Sequence, residues 1–200
     1  MDKTNLRTYI QRIFPNIQLK APLFYHAPSG IRFELGNQKK VWEKEYMKNV
    51  YERAYAIFSF LHDKNDDLLV LFKQRSGDRK RDEESNVKKF IKTKLSKQDI
   101  QVVTEANRNE CFIYCKTDDL KHKLLIQSIA NRDLHIQPSL EEECYIINMN
   151  KHTVFHLYDD RGLDVVSNNP LPLKRLQKKF HHWIVDIDAQ QLNEQTWLCP

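Results

Sequence analysis

Between Asp66-Asp67 and Lys73 runs Leu68-Leu69-Val70-Leu71-Phe72, an unbroken apolar stretch that limits the fold of this chain more than any other segment. Successive side chains of a strand point to opposite faces, so a strand apolar at every position needs cover on both sides. The run therefore predicts a strand interior to a sheet, with packed layers above and below it.

Five segments with helical spacing can supply those layers. Leu6, Tyr9, Ile10 and Ile13 form a stripe over residues 3–14, ended by Pro15 because the residue before proline is pushed out of the helical region. Residues 38–62 hold the longest pattern, with Trp42, Tyr46, Val50, Ala54, Ile57, Phe58 and Leu61 on one side. Ser85 is placed to cap a helix carrying Val87, Phe90, Ile91 and Leu95, and Asp118-Asp119 to open one through Leu120, Leu124, Leu125 and Ile129. Leu173, Leu176, Phe180, Trp183 and Ile184 make the last stripe, opposite Lys174, Arg175, Lys178 and Lys179.

Ile31, Phe33 and Leu35 alternate with charged neighbours and predict a half-buried strand closed by Gly36. Residues 100–104 and 111–115 read as a hairpin turning through Asn107-Arg108-Asn109. After Pro138, residues 144–149, 153–158 and 162–166 are three short strands at turn-length spacing, a β-meander. Helices and strands in this order predict a single α+β domain over residues 1–200, with a mixed or mainly antiparallel sheet packed by amphipathic helices. Residues 73–84 have almost no apolar content and read as a mobile basic loop, and 188–200 as a short helix or tail.

No stretch approaches the roughly 20 apolar residues of a membrane span, and Met1-Asp2-Lys3-Thr4-Asn5 lacks the layout of a signal peptide, so a cytoplasmic protein without a membrane partner is expected. Cys111, Cys115, Cys144 and Cys199 fit a reducing compartment: the first two share one strand and stand too far apart to bridge. Thirty-two basic residues against 27 acidic ones leave a net charge of +5, a modest excess that permits nucleic-acid binding without favouring it.

The densest chemistry lies in Tyr158-Asp159-Asp160-Arg161-Gly162-Leu163-Asp164, where three carboxylates and a guanidinium crowd a turn between two strands. Asp, Gly and a pairable Arg are also what a well-made turn uses. As a site, the segment reads either as an exposed acidic tip that orients a partner or as ligands for a hard cation, with Asp159, Asp160 and Asp164 as donors, His156 as acid-base group and Arg161 stabilising negative charge. His152 and His156 on one strand would stand about 13 Å apart at roughly 3.3 Å per residue, too far for one zinc. No phosphate-binding loop, paired CxxC, HExxH or GxSxG occurs, which disfavours the familiar NTPase, dinucleotide, zincin and serine-hydrolase mechanisms; nothing calls for a cofactor. Basic stretches at 73–81, 88–97 and 174–182 would attract nucleic acid only if they converge in space.

A set of separated motifs carries a family resemblance: Phe14-Pro15, Pro22-Leu23-Phe24-Tyr25, Gly30 to Gly36, Tyr51-Glu52-Arg53-Ala54, Tyr158 to Val165 and Trp183-Ile184-Val185-Asp186. Taken in order, they resemble the bacterial family known as domain of unknown function 3885, over about residues 14 to 188. The resemblance implies a small bacterial protein and brings no activity, cofactor or catalytic residue with it. The matched positions suggest a shared surface in which Arg32, Glu34 or Arg161 engages the aspartates of the turn. The leading expectation is a non-enzymatic protein-interaction or immunity-type module using Arg32, Glu34, His156, Tyr158, Asp159, Asp160, Arg161 and Asp164. A metal-dependent enzyme on phosphate-containing substrates is the first alternative, and nucleic-acid binding through the lysine-rich helices the second.

Overall fold

β2 (Asp67–Lys73) lies inside the sheet, paired antiparallel with β4 (Arg108–Lys116) on one side and with β5 (Glu143–Asn148) on the other. This is the position its apolar run requires. The computed structural model describes residues 6–36, 45–74, 87–105 and 108–185. Within them, β1 (Gly30–Glu34), β3 (Ile100–Glu105), β6 (Thr153–Leu157) and β7 (Gly162–Ser167) complete a seven-stranded sheet of order β1-β7-β6-β5-β2-β4-β3, antiparallel at every contact. β5, β6 and β7 form the expected meander.

The two faces of β2 enter two separate cores. Leu68, Val70 and Phe72 join the helices α2 (Tyr46–Leu61), α3 (His122–Ala130) and α4 (Pro170–Phe180). Leu69 and Leu71 face α1 (Leu6–Ile13) together with Phe14, Ile17 and Leu23. The stripe Tyr46, Val50, Ala54, Ile57, Phe58 and Leu61 is buried on α2, as its spacing predicts. Val50, Ile57, Phe58 and Leu61 each contribute about 1.5–3 kcal/mol of burial. α4 starts cleanly because the Asn169 side chain accepts from Leu171 N–H and Pro170 needs no donor there.

The boundaries differ from expectation in three places. Val87, Phe90 and Ile91 are buried, yet the helix has given way to a turn at Lys89-Phe90, and Ile91 instead forms a bridge with Leu120. Residues Thr117–Asp119 form a 3₁₀ turn and α3 begins only at His122. Arg108 and Asn109 belong to β4, with Arg108 opposite Glu105, so the hairpin turn is shorter than the sequence suggested. Trp42, Ser85, Asn107, Cys199, most of the basic loop at 73–84 and the segment 188–200 lie outside the described residues. Cys111, Cys115 and Cys144 are buried free thiols, and burial pushes the Cys115 thiol up to about 12.

The sheet has two unlike edges. Outside β1, Ile184 bridges Phe33 and Val185 N–H donates to the Arg32 carbonyl at 3.2 Å. Outside β3, no strand of the described residues pairs.

Candidate functional site: an arginine clamped between a buried aspartate and three aromatic rings

β1 and β7 place Arg32 directly opposite Asp164, flanked by the apolar pairs Ile31–Val165 and Phe33–Leu163. Alternation puts those neighbours on the helix-covered face and leaves the charged pair on the face that carries α1. Asp164 is fully buried and accepts three hydrogen bonds: Arg32 Nε at 2.8 Å on Oδ1, Arg32 Nη2 at 3.0 Å and Phe24 N–H at 3.0 Å on Oδ2. A carboxylate stripped of water persists when paired and hydrogen-bonded in this way.

Phe24 is placed by the 3₁₀ turn Leu23–His26, which folds over β1 and brings two rings onto the guanidinium. Arg32 Cζ lies 4.7 Å from the Tyr25 ring centroid, 5.3 Å from that of Phe24 and 5.8 Å from that of Tyr158. Tyr25 stands edge-on to Phe24 and is 58% exposed, so it forms the outer wall of this box. Burial, and next the charge of Asp164, push the Tyr158 phenol well above its usual range.

His156 continues the row on β6, opposite Asp164, but is buried and stacked on Tyr145 with centroids 4.3 Å apart. Tyr145 in turn donates to Glu143. His156 thus lies beneath the clamp, inside the layer.

The acidic turn is not the exposed tip the sequence suggested. Asp159 is 3% and Asp160 6% exposed, whereas the Arg161 side chain is 59% exposed. Asp159 accepts from Arg161 N–H at 2.8 Å and from Arg161 Nε and Nη2, closing a local ring. Asp160 accepts from Tyr46 Oη at 2.6 Å, a donor supplied by α2, and burial raises the Tyr46 phenol with Asp160 adding to the effect. From the turn after α3, Arg132 Nη2 donates to the Tyr158 carbonyl at 2.9 Å, and Leu35 N–H donates to the Arg161 carbonyl at 2.9 Å. Gly162 is needed for close approach: an added Cβ would stand 2.6 Å from the Phe33 carbonyl oxygen.

The structure therefore joins Arg32 to Asp164 and Arg161 to Asp159, with Tyr158 between the two pairs. Glu34 takes no part. It is exposed, and its contribution to local bonding is a backbone carbonyl that accepts from Arg53. Asp159, Asp160 and Asp164 each serve a different donor set, and no group of three His, Cys, Asp or Glu side chains among the described residues could hold a metal ion. The cation-site arrangement is not formed. Residues the sequence did not single out are Tyr46, Arg132 and Tyr145, which reach the site from other elements and leave no local signal.

The basic stretches at 88–97 and 174–182 do not converge either. Phe90, within residues 88–97, stacks on Phe72 of β2, while α4 with its lysines packs on β7 and β1, so β5 and β6 lie between them. Among the described residues, no helix is long and apolar enough to cross a membrane.

A family model described as Domain of unknown function (DUF3885) matches residues 6–188. The chain is also 27% identical over 206 residues to the Bacillus subtilis (strain 168) protein titled "Uncharacterized protein YnaE", an alignment covering 90% of this chain and 97% of that one. No solved structure matches. With the match extending over nearly the whole chain, this protein belongs to the bacterial domain of unknown function 3885 family.

Proposed function

We propose that this protein is a non-enzymatic interaction module of the bacterial cytoplasm, and that its contact surface is the aromatic–arginine face built by Tyr25, Arg32 and Tyr158 with Arg161 beside them. The observation that carries the reading is the exposed Tyr25 ring lying over a guanidinium that Asp164 holds from beneath. Tyr and Arg anchors fixed before binding are the residue types that dominate interface energetics, because little side-chain entropy remains to be lost.

With Asp159 and Asp160 turned inward, the charged group left at the surface of the turn is Arg161. Guanidinium N–H groups are donors without acceptor capacity, so the partner offers acceptors, carboxylates above all, beside a flat apolar group that packs on Tyr25. Buried free thiols support a reducing compartment.

Affinity capture from native lysate with the wild type, Tyr25→Ala and Arg161→Ala tests this. The reading predicts one protein retained by the wild type and lost from both variants while their thermal midpoints stay high. A captured set unchanged in both variants contradicts it.

A further inference from the structure

At the end of β6 away from the acidic turn, a half-open cleft of about 500 Å³ lies between the end of α2, the turn from β5 to β6 and the start of α4. That is the size of a small-molecule site. Phe60, Leu61, Leu171 and Pro172 give it an apolar wall, and Leu171 stands 64% exposed at its rim. The cleft shares no lining residue with the face of Tyr25, Arg32 and Tyr158.

Bonds to the protein decide what the polar lining groups can still offer. Asn150 Oδ1 accepts from Asp67 N–H at 2.6 Å, and Asn169 Oδ1 from Leu171 N–H at 3.0 Å. A backbone N–H can only donate, so both amide oxygens are engaged and both NH2 groups remain as donors, with no acceptor among the described residues. Lys151 Nζ is held by Asp63 at 2.9 Å, Asp66 at 3.2 Å and the Leu61 carbonyl at 2.9 Å, so Asp63, the carboxylate of the lining, is already paired. Arg175 is not. Its guanidinium lies 5.5 Å from the Phe60 ring centroid, Lys179 Nζ lies 5.0 Å from the same centroid, and neither cation meets a carboxylate among the described residues. The turn is fixed from beneath by the buried Asn148, whose Oδ1 accepts from Asn150 N–H at 3.0 Å and from Lys151 N–H at 2.9 Å. The start of α4 adds nothing through its backbone, because Pro170 and Pro172 have no N–H and Asn169 takes that of Leu171.

We propose that this cleft binds a small organic anion, its carboxylate or phosphate oxygens taken by the Asn150 and Asn169 amides and by Arg175, and its apolar body lying against Phe60, Leu171 and Pro172. Two amide donors and an unpaired guanidinium call for a ligand that brings acceptors and negative charge, and the planar fork of Arg fits either head group. The apolar wall calls for a body attached to that head, since it leaves Leu171 in water when the cleft is empty. Because the turn and both amides are held before binding, little order remains to be imposed by the ligand.

The test is a titration of the full chain, followed in ¹H–¹⁵N correlation spectra, with phenyl phosphate, phenylacetate and inorganic phosphate. Phenyl phosphate or phenylacetate should move the Asn150 and Asn169 side-chain NH2 signals along a saturating curve, the tighter of the two naming the head group. Inorganic phosphate, which has no apolar body, should bind roughly tenfold more weakly than the tighter probe. Arg175→Gln, an exposed change whose fold the same spectra verify, should weaken that probe roughly tenfold. Leu171→Ser should weaken it severalfold and leave inorganic phosphate unchanged, and Lys174→Gln, a lysine of α4 outside the lining, should change neither. No saturable shift from either aromatic probe, inorganic phosphate bound as tightly, an affinity unchanged by Arg175→Gln or by Leu171→Ser, or an equal loss in Lys174→Gln would each overturn the site.

Discussion

Arg32 and Asp164 face each other across the β1–β7 ladder and bond through two N–H···O contacts of 2.8 and 3.0 Å, with the carboxylate fully buried and the guanidinium side chain 14% exposed. The pair ties a surface feature to the body of the sheet. Whatever the face of Tyr25 and Arg32 does, it does from a fixed position, because Asp164 also holds Phe24 N–H and with it the turn that carries Tyr25.

Removing one partner of this pair should be costly. Asp164→Ala strips the guanidinium of its counter-charge and the Phe24 amide of its acceptor, and urea unfolding should show a loss of about 3–5 kcal/mol. The double replacement Arg32→Met with Asp164→Leu should cost clearly less than the sum of the single changes, since no buried charge then remains alone.

The turn can be probed at Gly162. An alanine Cβ there would collide with Tyr158 Oη and stand 2.6 Å from the Phe33 carbonyl oxygen. Side-chain movement relieves the first contact but not the second, which is backbone. Gly162→Ala should lose about 1–3 kcal/mol in thermal or urea unfolding, and adding Tyr158→Phe should not restore it.

Tyr46 supplies the donor that lets Asp160 be buried. Tyr46→Phe keeps the ring in the core and withdraws the hydroxyl, so stability should fall by about 1–3 kcal/mol, the cost of leaving a buried acceptor short of a bond. Asp160→Asn in the wild type should cost less, because the amide oxygen still accepts from Tyr46.

Acid sensitivity should come from His62. Its Nδ1 lies 2.8 Å from the Phe58 carbonyl, its ring stacks on Phe58, and burial lowers its pKa from 6.5 to about 4, Lys151 acting in the same sense. Below about pH 6.5 the unfolded chain takes up a proton that the folded chain refuses. The contribution of His62 should therefore be lost as pH drops from 6.5 towards 4, on the order of 3 kcal/mol, with nothing further from this group below that. Burial lowers the His122 pKa as well and adds to the slope. Urea unfolding of the wild type and His62→Phe at several pH values isolates the contribution: the variant should show the shallower slope.

The fold was legible where one segment carried its own information. Leu68 to Phe72 announced a strand covered on both faces, and the stripe from Tyr46 to Leu61 a packed helix, because burial there repeats along the chain itself. The clamp was half legible: charged residues within the apolar strands at 32 and 164 require partners, and they found each other. The burial of Asp160 was not, since it depends on Tyr46, which arrives from an element 114 residues away in sequence. Glu34 is exposed at the end of β1, and alternation alone does not tell a paired charge from one facing water. The helix expected through Leu95 ended early because Ile91 finds a bridge to Leu120.

The most direct measurement is photo-crosslinking in cells with p-benzoylphenylalanine placed at position 25 and, as a control, at position 171, where Leu171 is 64% exposed away from the clamp. A contact surface centred on Tyr25 and Arg32 predicts one discrete protein adduct from position 25, abolished by Arg161→Ala, and none from position 171. No adduct from position 25, or the same adduct from both positions, would contradict the assignment of that surface.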